Sequence, residues 1–301
     1  MSTFNQLTER VDTLLHGYSI TNEATTWLTT SATSTSTTLT LHDVSVLGRG
    51  LIQIGDEILH VHSIDPANSQ VTISPWGRGQ RGTTAAAHSA NARVTVSPLF
   101  PRNEIKRAIN DTINAMYPGI FGVGQTEFSY VLAKTTYDLP DEAENILNIT
   151  HETIGPSKEW LPVRAFNFDR MANPTAFGTA GALGKSVSIL GPVMPGRKVN
   201  VAYAKRPTVF TDGDQEFSTW TGLPSYAEDV VIYGAAFRMI SFIDPSRLGP
   251  QSAAADALDQ QQTGRSGETV SRFLFNIYQQ RLNEVADNQR RQYPTRSHYQ
   301  R

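Results

Sequence analysis

The sequence predicts an α+β protein: a helical bundle with an inserted β domain, plus an N-terminal small all-β module of barrel or sandwich type. Three observations carry this expectation. Residues 30–98 hold short strand-like runs separated by turn residues. Three stretches with helical apolar spacing, 101–117, 226–243 and 268–291, lie far apart in the chain. Between the first two, residues 126–205 return to strand-like runs. A β domain looped out of a bundle is then the economical assembly. The expected domains are an N-terminal helix at 1–20, the β module at 30–98, a bundle from 99–125 and 221–301 ending in a basic tail, and a central β domain at 126–220.

Taken in order, Phe4, Leu7, Val11, Leu14 and Leu15 recur at helical spacing and predict a short amphipathic helix ending by about HGYS. The Ser/Thr-rich run TTSATSTSTTLTL follows, and its end, with Leu39 and Leu41 alternating with threonine, reads as an edge-type strand. LIQIG, EILHVHSI, QVTIS and ARVTV supply further strands, with Asp65, Pro66, Asn68 and Ser69 as punctuation. Pro101 sits where a helix begins, and Ile105, Ala108, Ile109, Ile113 and Met116 give that helix one apolar face. The central pieces are EFSYVLA, TTYDLP, ENILNIT, KEWLPVRAFNF, KSVSIL and KVNVAYAK, interrupted by the Gly/Pro loop NPTAFGTAGALGK. YAEDVVIYGAAFRMISFI carries charge only at Glu228, Asp229 and Arg238, so the spacing predicts a helix buried on most sides. A short helical piece, AAADALDQQQ, precedes the last long helix. There Val270, Phe273, Leu274, Ile277, Tyr278, Leu282 and Val285 trace one stripe.

The 301 residues contain no cysteine, which removes disulfides, thiolate metal sites and cysteine nucleophiles together. A formal net charge of -2 argues against a broad basic footprint for nucleic acid. No stretch approaches ~18 uninterrupted apolar residues, so no membrane span is expected. Charged residues make up only 18% of the chain. That fits surfaces that pack against other proteins.

Several motifs invite chemistry and none completes it. WGRGQRGTTAAAH contains G-x-G-x-x-G at Gly77, Gly79 and Gly82. A dinucleotide turn must open a crossover helix, and only TTAAAHSAN separates Gly82 from the next strand. The motif reads instead as a tight reversal exposing Arg78 and Arg81 at the rim of the module. Gly184, Lys185 and Ser186 end like a phosphate loop but lack the leading glycine and the helix. His60 and His62 share a strand face and, with His88 and the nearby Asp56, Glu57 and Asp65, could offer metal ligands, but no metal-ligand spacing occurs. The cluster Asp138, Asp141, Glu142 and Glu144 reads as a solvated turn rather than an acid/base pair, and Asp212 with Asp214 as a turn rather than a calcium loop. No G-x-S-x-G is present. Asn148-Ile149-Thr150 matches a glycosylation acceptor, with nothing to imply secretion. No enzyme and no cofactor is expected.

Set in order, these pieces resemble a known family. GLIQIGDEILHVHSID with VTISPWGRGQRGTTAAAHSANARVTV resembles a small β module of tailed-bacteriophage structural proteins. PLFPRNEIKRAINDTINAMYPG, TYDLPDEAENILNI, WLPVRAFNFDR, VNVAYAKRP, IYGAAFRM and RFLFNIYQQRLNEV together resemble the head-to-tail connector proteins called adaptors. The smallest adaptors lack the N-terminal module. The resemblance implies a structural virion protein, made in the bacterial host cytoplasm and placed at the head–tail interface. It implies a homo-oligomeric ring, usually of twelve copies, below the portal protein. DNA would pass through its lumen, and a downstream tail or stopper protein would meet its lower face. The C-terminal segment would dock against the portal or a neighbour, a role falling on Phe273, Ile277, Leu282, Arg290, Arg291, Arg296 and Arg301. The alternative is a tail or baseplate component whose N-terminal β module binds carbohydrate or another protein.

Overall fold

The computed structural model describes residues 2–18, 23–134, 136–154, 159–171, 184–241 and 266–294. Two compact units emerge: one formed by Asn5–Asp111 and Ile232–Tyr278, the other by the described parts of Met1–Phe4, Thr112–Val231 and Gln279–Arg301. The architecture is α+β, with helices flanking an inserted β domain and an N-terminal curled β-sheet module. The Gly/Pro loop before Gly184 and the short piece AAADALDQQQ lie outside the described residues.

The first unit begins with helix α1 (Phe4–His16), whose Leu7, Val11 and Leu15 are fully buried. The module's six strands are β1 (Thr25–Trp27), β2 (Thr38–Thr40), β3 (Gly50–Ile54), β4 (Glu57–Asp65), β5 (Gln70–Ile73) and β6 (Arg93–Val96). They form one antiparallel sheet in the order β1-β6-β3-β4-β5-β2. The edge strands then find each other. Leu28 bridges Leu41, Thr29 N donates to Thr40 O at 2.9 Å, and His42 N donates to Trp27 O at 2.9 Å. The sheet curls until its edges meet, which leaves few open backbone groups. Alternation builds the inside: Leu59 and Val61 point inward on β4 while His60 and His62 are exposed. Leu39, Leu41, Ile52, Ile54, Val71, Ile73 and Val94 complete the core. β1 is an element that the sequence reading missed. Its three residues, Thr-Thr-Trp, offer too little alternation to register.

Helix α2 (Arg102–Met116) follows Pro101, whose carbonyl accepts from Glu104 N and Ile105 N at 2.9 and 3.0 Å. Ile105, Ala108, Ile109, Ile113 and Met116 are all buried, as the spacing predicts.

Among the described residues, the inserted domain holds seven strands. β10 (Trp160–Pro162), β9 (Asn145–Glu152), β13 (Lys198–Lys205) and β7 (Gly122–Ser129) form a four-stranded antiparallel sheet in that order. β11 (Phe166–Asp169), β12 (Ser186–Ile189) and β8 (Thr136–Asp138) form a three-stranded one. Residues from both sheets, including Tyr137, Ile149, Val187, Ile189, Val199, Val201 and Tyr203, share one core. KEWLPVRAFNF reads as one run but is divided between β10 and β11, which belong to different sheets. Pro162 is tolerated because β10 is an edge strand: the ladder bond to β9 resumes at Val163, whose N–H donates to Ile149 O at 2.8 Å.

Helix α3 (Phe217–Thr221) is short and was not predicted; α4 (Glu228–Ser241) and α5 (Ser266–Gln292) close the described chain. Only Asp229 and Ser241 of α4 are exposed, so it is buried on most sides as expected. On α5, Leu274, Tyr278, Val285, Ala286 and Gln289 are buried. Phe273, which the predicted stripe includes, is instead 52% exposed. It lies about 100° round the helix from Leu274, beyond the face that packs. In the second unit, residues 2–4 are held by Phe4, whose ring stacks on Phe210 at 4.5 Å and whose N–H donates to Gln215 O at 3.0 Å.

Candidate interaction surfaces

The turn after β5 is tightly constrained, and a buried carboxylate organises it. Glu57 occupies the first position of β4, in phase with inward-facing Leu59 and Val61, and its side chain is fully buried. A buried carboxylate must be met by donors. Here Oε1 accepts from Arg78 Nε at 2.7 Å and from Gly79 N at 3.1 Å. Oε2 accepts from Arg78 Nη2 at 2.8 Å, Ala86 N at 3.1 Å and His88 Nε2 at 2.8 Å. Burial alone would raise the Glu57 pKa; the bonds from Arg78, Ala86, His88 and Gly79 outweigh it and hold the carboxyl at about 2.

Arg78 is pinned as tightly. Beyond the bidentate pair, its Nη1 donates to Thr33 O and Ser36 O at 2.8 and 3.0 Å, and its Nη2 to Ala86 O at 2.6 Å. The expectation that the turn exposes both arginines is therefore corrected for Arg78. Its side chain is only 11% exposed and serves as an internal pin, whereas Arg81 is exposed. The glycines have matching reasons. A Cβ on Gly77 would sit 2.7 Å from the His60 carbonyl oxygen, and Gly79 has φ +62°. Arg81 itself takes a left-handed φ of 52°. The turn contains a single 3₁₀ turn at Gln80–Gly82 and no α-helix, so the dinucleotide geometry is absent from it. The signal for this knot was available: Glu57 has core parity, and the loop after β5 carries Arg78 and His88, side chains able to donate to a carboxylate.

The histidine cluster does not form. His88 turns to Glu57, while His60 and His62 face outward from β4. Among the described residues no group of three His, Asp or Glu side chains could hold a metal ion. A polar cavity of about 340 Å³ in the same unit is lined by Glu9, Asp12, Glu23, Asp56 and Arg102, among others. Its charges pair: Asp56 meets Arg102 at 3.1 Å and Lys106 at 2.6 Å, and His16 lies 3.4 Å from both Asp12 and Glu23.

In the central domain, the acidic cluster is a set of ties. Glu142 accepts from the Tyr203 hydroxyl at 2.6 Å and pairs with Lys205 at 3.3 Å; Glu144 lies 3.7 Å from Lys185 and 3.4 Å from Arg206. Lys185 also donates to Asp141 O at 2.7 Å, and Ser186 opens strand β12 where a phosphate loop would open a helix. Asp212 and Asp214 lie in a bend and turn.

One end of the four-stranded sheet is apolar and open. The register places Ser129 opposite Lys198, Val199 opposite His151, and Trp160 opposite Glu152. The segments leaving these positions carry Val131, Leu132, Ile154, Trp160 and Met194, each between 43% and 72% exposed. Gly196 N donates to Tyr130 O at 2.7 Å and joins two of those segments. Exposed apolar groups gathered at one end of a sheet are the kind of surface that meets other proteins.

The C-terminal residues named from sequence divide. Phe273, Arg290 and Arg291 are exposed, Ile277 and Leu282 are half-buried, and Arg296 and Arg301 lie outside the described residues. Phe275, also exposed, lies beside Phe237 with ring centroids 5.1 Å apart. Arg290 is partly neutralised by Asp287 at 3.3 Å and Arg281 by Glu284 at 2.8 Å. Gln289 is the position that sequence reasoning missed. It is buried, accepts from Phe121 N at 3.1 Å and donates to Phe121 O at 2.6 Å, fixing the end of α5 to the segment before β7. Among the described residues no helix is long and apolar enough to cross a membrane.

No curated protein is similar to this chain at a significant level. The model of the SU10 adaptor protein family matches residues 83–297, a stretch that takes in β6, α2, the whole central domain, α4 and α5. The chain belongs to the SU10 adaptor protein family, as a ring-forming structural protein that joins head to tail in the bacteriophage virion.

Proposed function

We propose that this adaptor forms a ring of twelve copies beneath the portal protein, with DNA passing through its lumen and a downstream tail or stopper protein on its lower face. The single observation that carries the reading is the family match across 83–297, because it includes both the inserted β domain and the helices on either side of it. Two surfaces support a division of labour. On α5, Phe273, Ile277 and Leu282, with Arg290 and Arg291 and the sequence positions Arg296 and Arg301, combine apolar and basic character suited to the portal or a neighbouring copy. In the central domain, the apolar end with Val131, Leu132, Trp160 and Met194 suits the tail side. Arg81, exposed on the pinned turn, is assigned to the outer rim of the β module. A closed ring needs two different patches that meet between successive copies, and the two chemistries on this chain are compatible with that.

Native mass spectrometry of the full chain, with and without portal protein, tests the proposal. The expected result is a monomer or weak oligomer alone and a ring on the portal. A stable dimer indifferent to portal would contradict it. Removal of 287–301 is expected to abolish portal binding; normal binding by that truncated chain would remove the C-terminal assignment.

A further inference from the structure

Helix α1 ends on His16, a half-buried imidazole with acceptors at both ring nitrogens. Nδ1 lies 2.9 Å from the Asp12 carbonyl oxygen and 3.4 Å from Asp12 Oδ1, while Nε2 lies 3.4 Å from Glu23 Oε2. A backbone carbonyl and a carboxylate can only accept. A neutral imidazole has one N–H and one lone pair, so it satisfies one side and turns its lone pair on an acceptor at the other. The imidazolium, with two N–H groups, fits both. The last turn of a helix also favours a cation at this position.

Glu23 carries the contact to further segments. Its Oε1 accepts from Leu99 N at 2.6 Å, on the approach to α2, and the neighbouring Ala24 O accepts from Val96 N of β6 at 2.9 Å. The Phe100 ring meets the imidazole edge-on, with centroids 5.9 Å apart. Arg93 of β6 and Arg102 of α2 act on Asp12 electrostatically, and Arg102 is itself engaged by Asp56 at 3.1 Å and Glu9 at 3.8 Å. All of these groups lie within the first unit, so the arrangement needs no partner chain. We infer that His16 is a proton-operated latch: its charged form fastens the last turn of α1 to the segment entering β1 and, through Glu23, to the approach to α2, and loss of the proton loosens the three. Burial alone would lower the His16 pKa; the Asp12 carbonyl and the Asp12 and Glu23 carboxylates outweigh it and hold it above the ordinary value of 6.5. The stabilisation is therefore complete below about pH 6.5 and is lost as pH rises through the higher folded-state value.

NMR titration of the full chain tests the latch, with the His16 ring signals assigned by their loss in His16→Gln. His16 is expected to titrate above 6.5. Glu23→Gln keeps an oxygen for Leu99 N and removes the charge, and is expected to lower the His16 value by about 0.5. Hydrogen exchange supplies the structural readout at two amides, Gly17 N, which donates to Thr13 O, and Leu99 N. Their protection factors are expected to fall about threefold between about pH 6 and about pH 9, the factor that a pKa difference of about 0.5 implies. In His16→Gln the same factors are expected to stay level. A His16 that titrates at or below 6.5, or that ignores Glu23→Gln, would overturn the inference. So would the same pH response of the two amides in the wild-type chain and in His16→Gln.

Discussion

In the N-terminal module, edge strands Thr25–Trp27 and Thr38–Thr40 meet just beyond their ends through one bridge of two backbone hydrogen bonds, whereas among the described residues the central domain leaves Gly122–Ser129 and Trp160–Pro162 as the two edges of an open sheet. The two units are built from similar short strands. They differ in where their polar anchors sit. The module places its carboxylate, Glu57, wholly inside and surrounds it with five hydrogen bonds. The central domain places the corresponding tie, Glu142 to Tyr203 and Lys205, at a carboxylate that is half exposed. It also keeps a cluster of apolar side chains in water at one end. A closed unit with an internal anchor holds its shape alone. An open unit with exposed apolar groups keeps surface for another chain to cover.

The comparison is most severely tested at Glu57. Glu57→Ala leaves the buried Arg78 guanidinium without its counter-ion, and the expected loss is about 3–5 kcal/mol of module stability, read by denaturant titration. A loss below about 1 kcal/mol would show that the knot is not the module's anchor.

Acid provides a second, smaller test. The Glu57 pKa is lowered on folding from the ordinary carboxylate value of 4.5 to about 2. The stability it contributes is therefore complete above about pH 4.5 and is lost as pH falls toward 2. Glu57→Gln is expected to remove that part of the acid dependence, measured as melting temperature against pH over this window. An unchanged profile would contradict the assignment.

The smallest effect belongs to the central domain. Tyr203→Phe removes one hydrogen bond to a half-exposed carboxylate and is expected to cost about 1 kcal/mol. A loss as large as that of Glu57→Ala would erase the distinction between the two units.

Much of this organisation was legible in the sequence, for a physical reason. Amphipathic periodicity is strong where one face is buried, and it located α1, α2, α4 and α5 as well as β3 to β6. Arg78 was misplaced because charge alone reads as exposure; only the pairing of inward-facing Glu57 with the loop that follows reveals the knot. Phe273 was misplaced because an aromatic at helical spacing reads as core, while the packed face of α5 runs through Leu274, Tyr278, Val285 and Gln289. Gln289 was invisible because its bonds reach 168 residues along the chain, to Phe121. The open apolar end of the central domain was hidden similarly: the segments carrying Leu132, Ile154, Trp160 and Met194 are brought to one end of the sheet only through strand register.

Copy number and symmetry of this chain in the intact particle test the central claim most directly. Electron cryo-microscopy of virions is expected to show twelve copies in a ring between portal and tail. A chain found at the distal end of the tail, or in a number that forms no ring at the portal, would contradict the account.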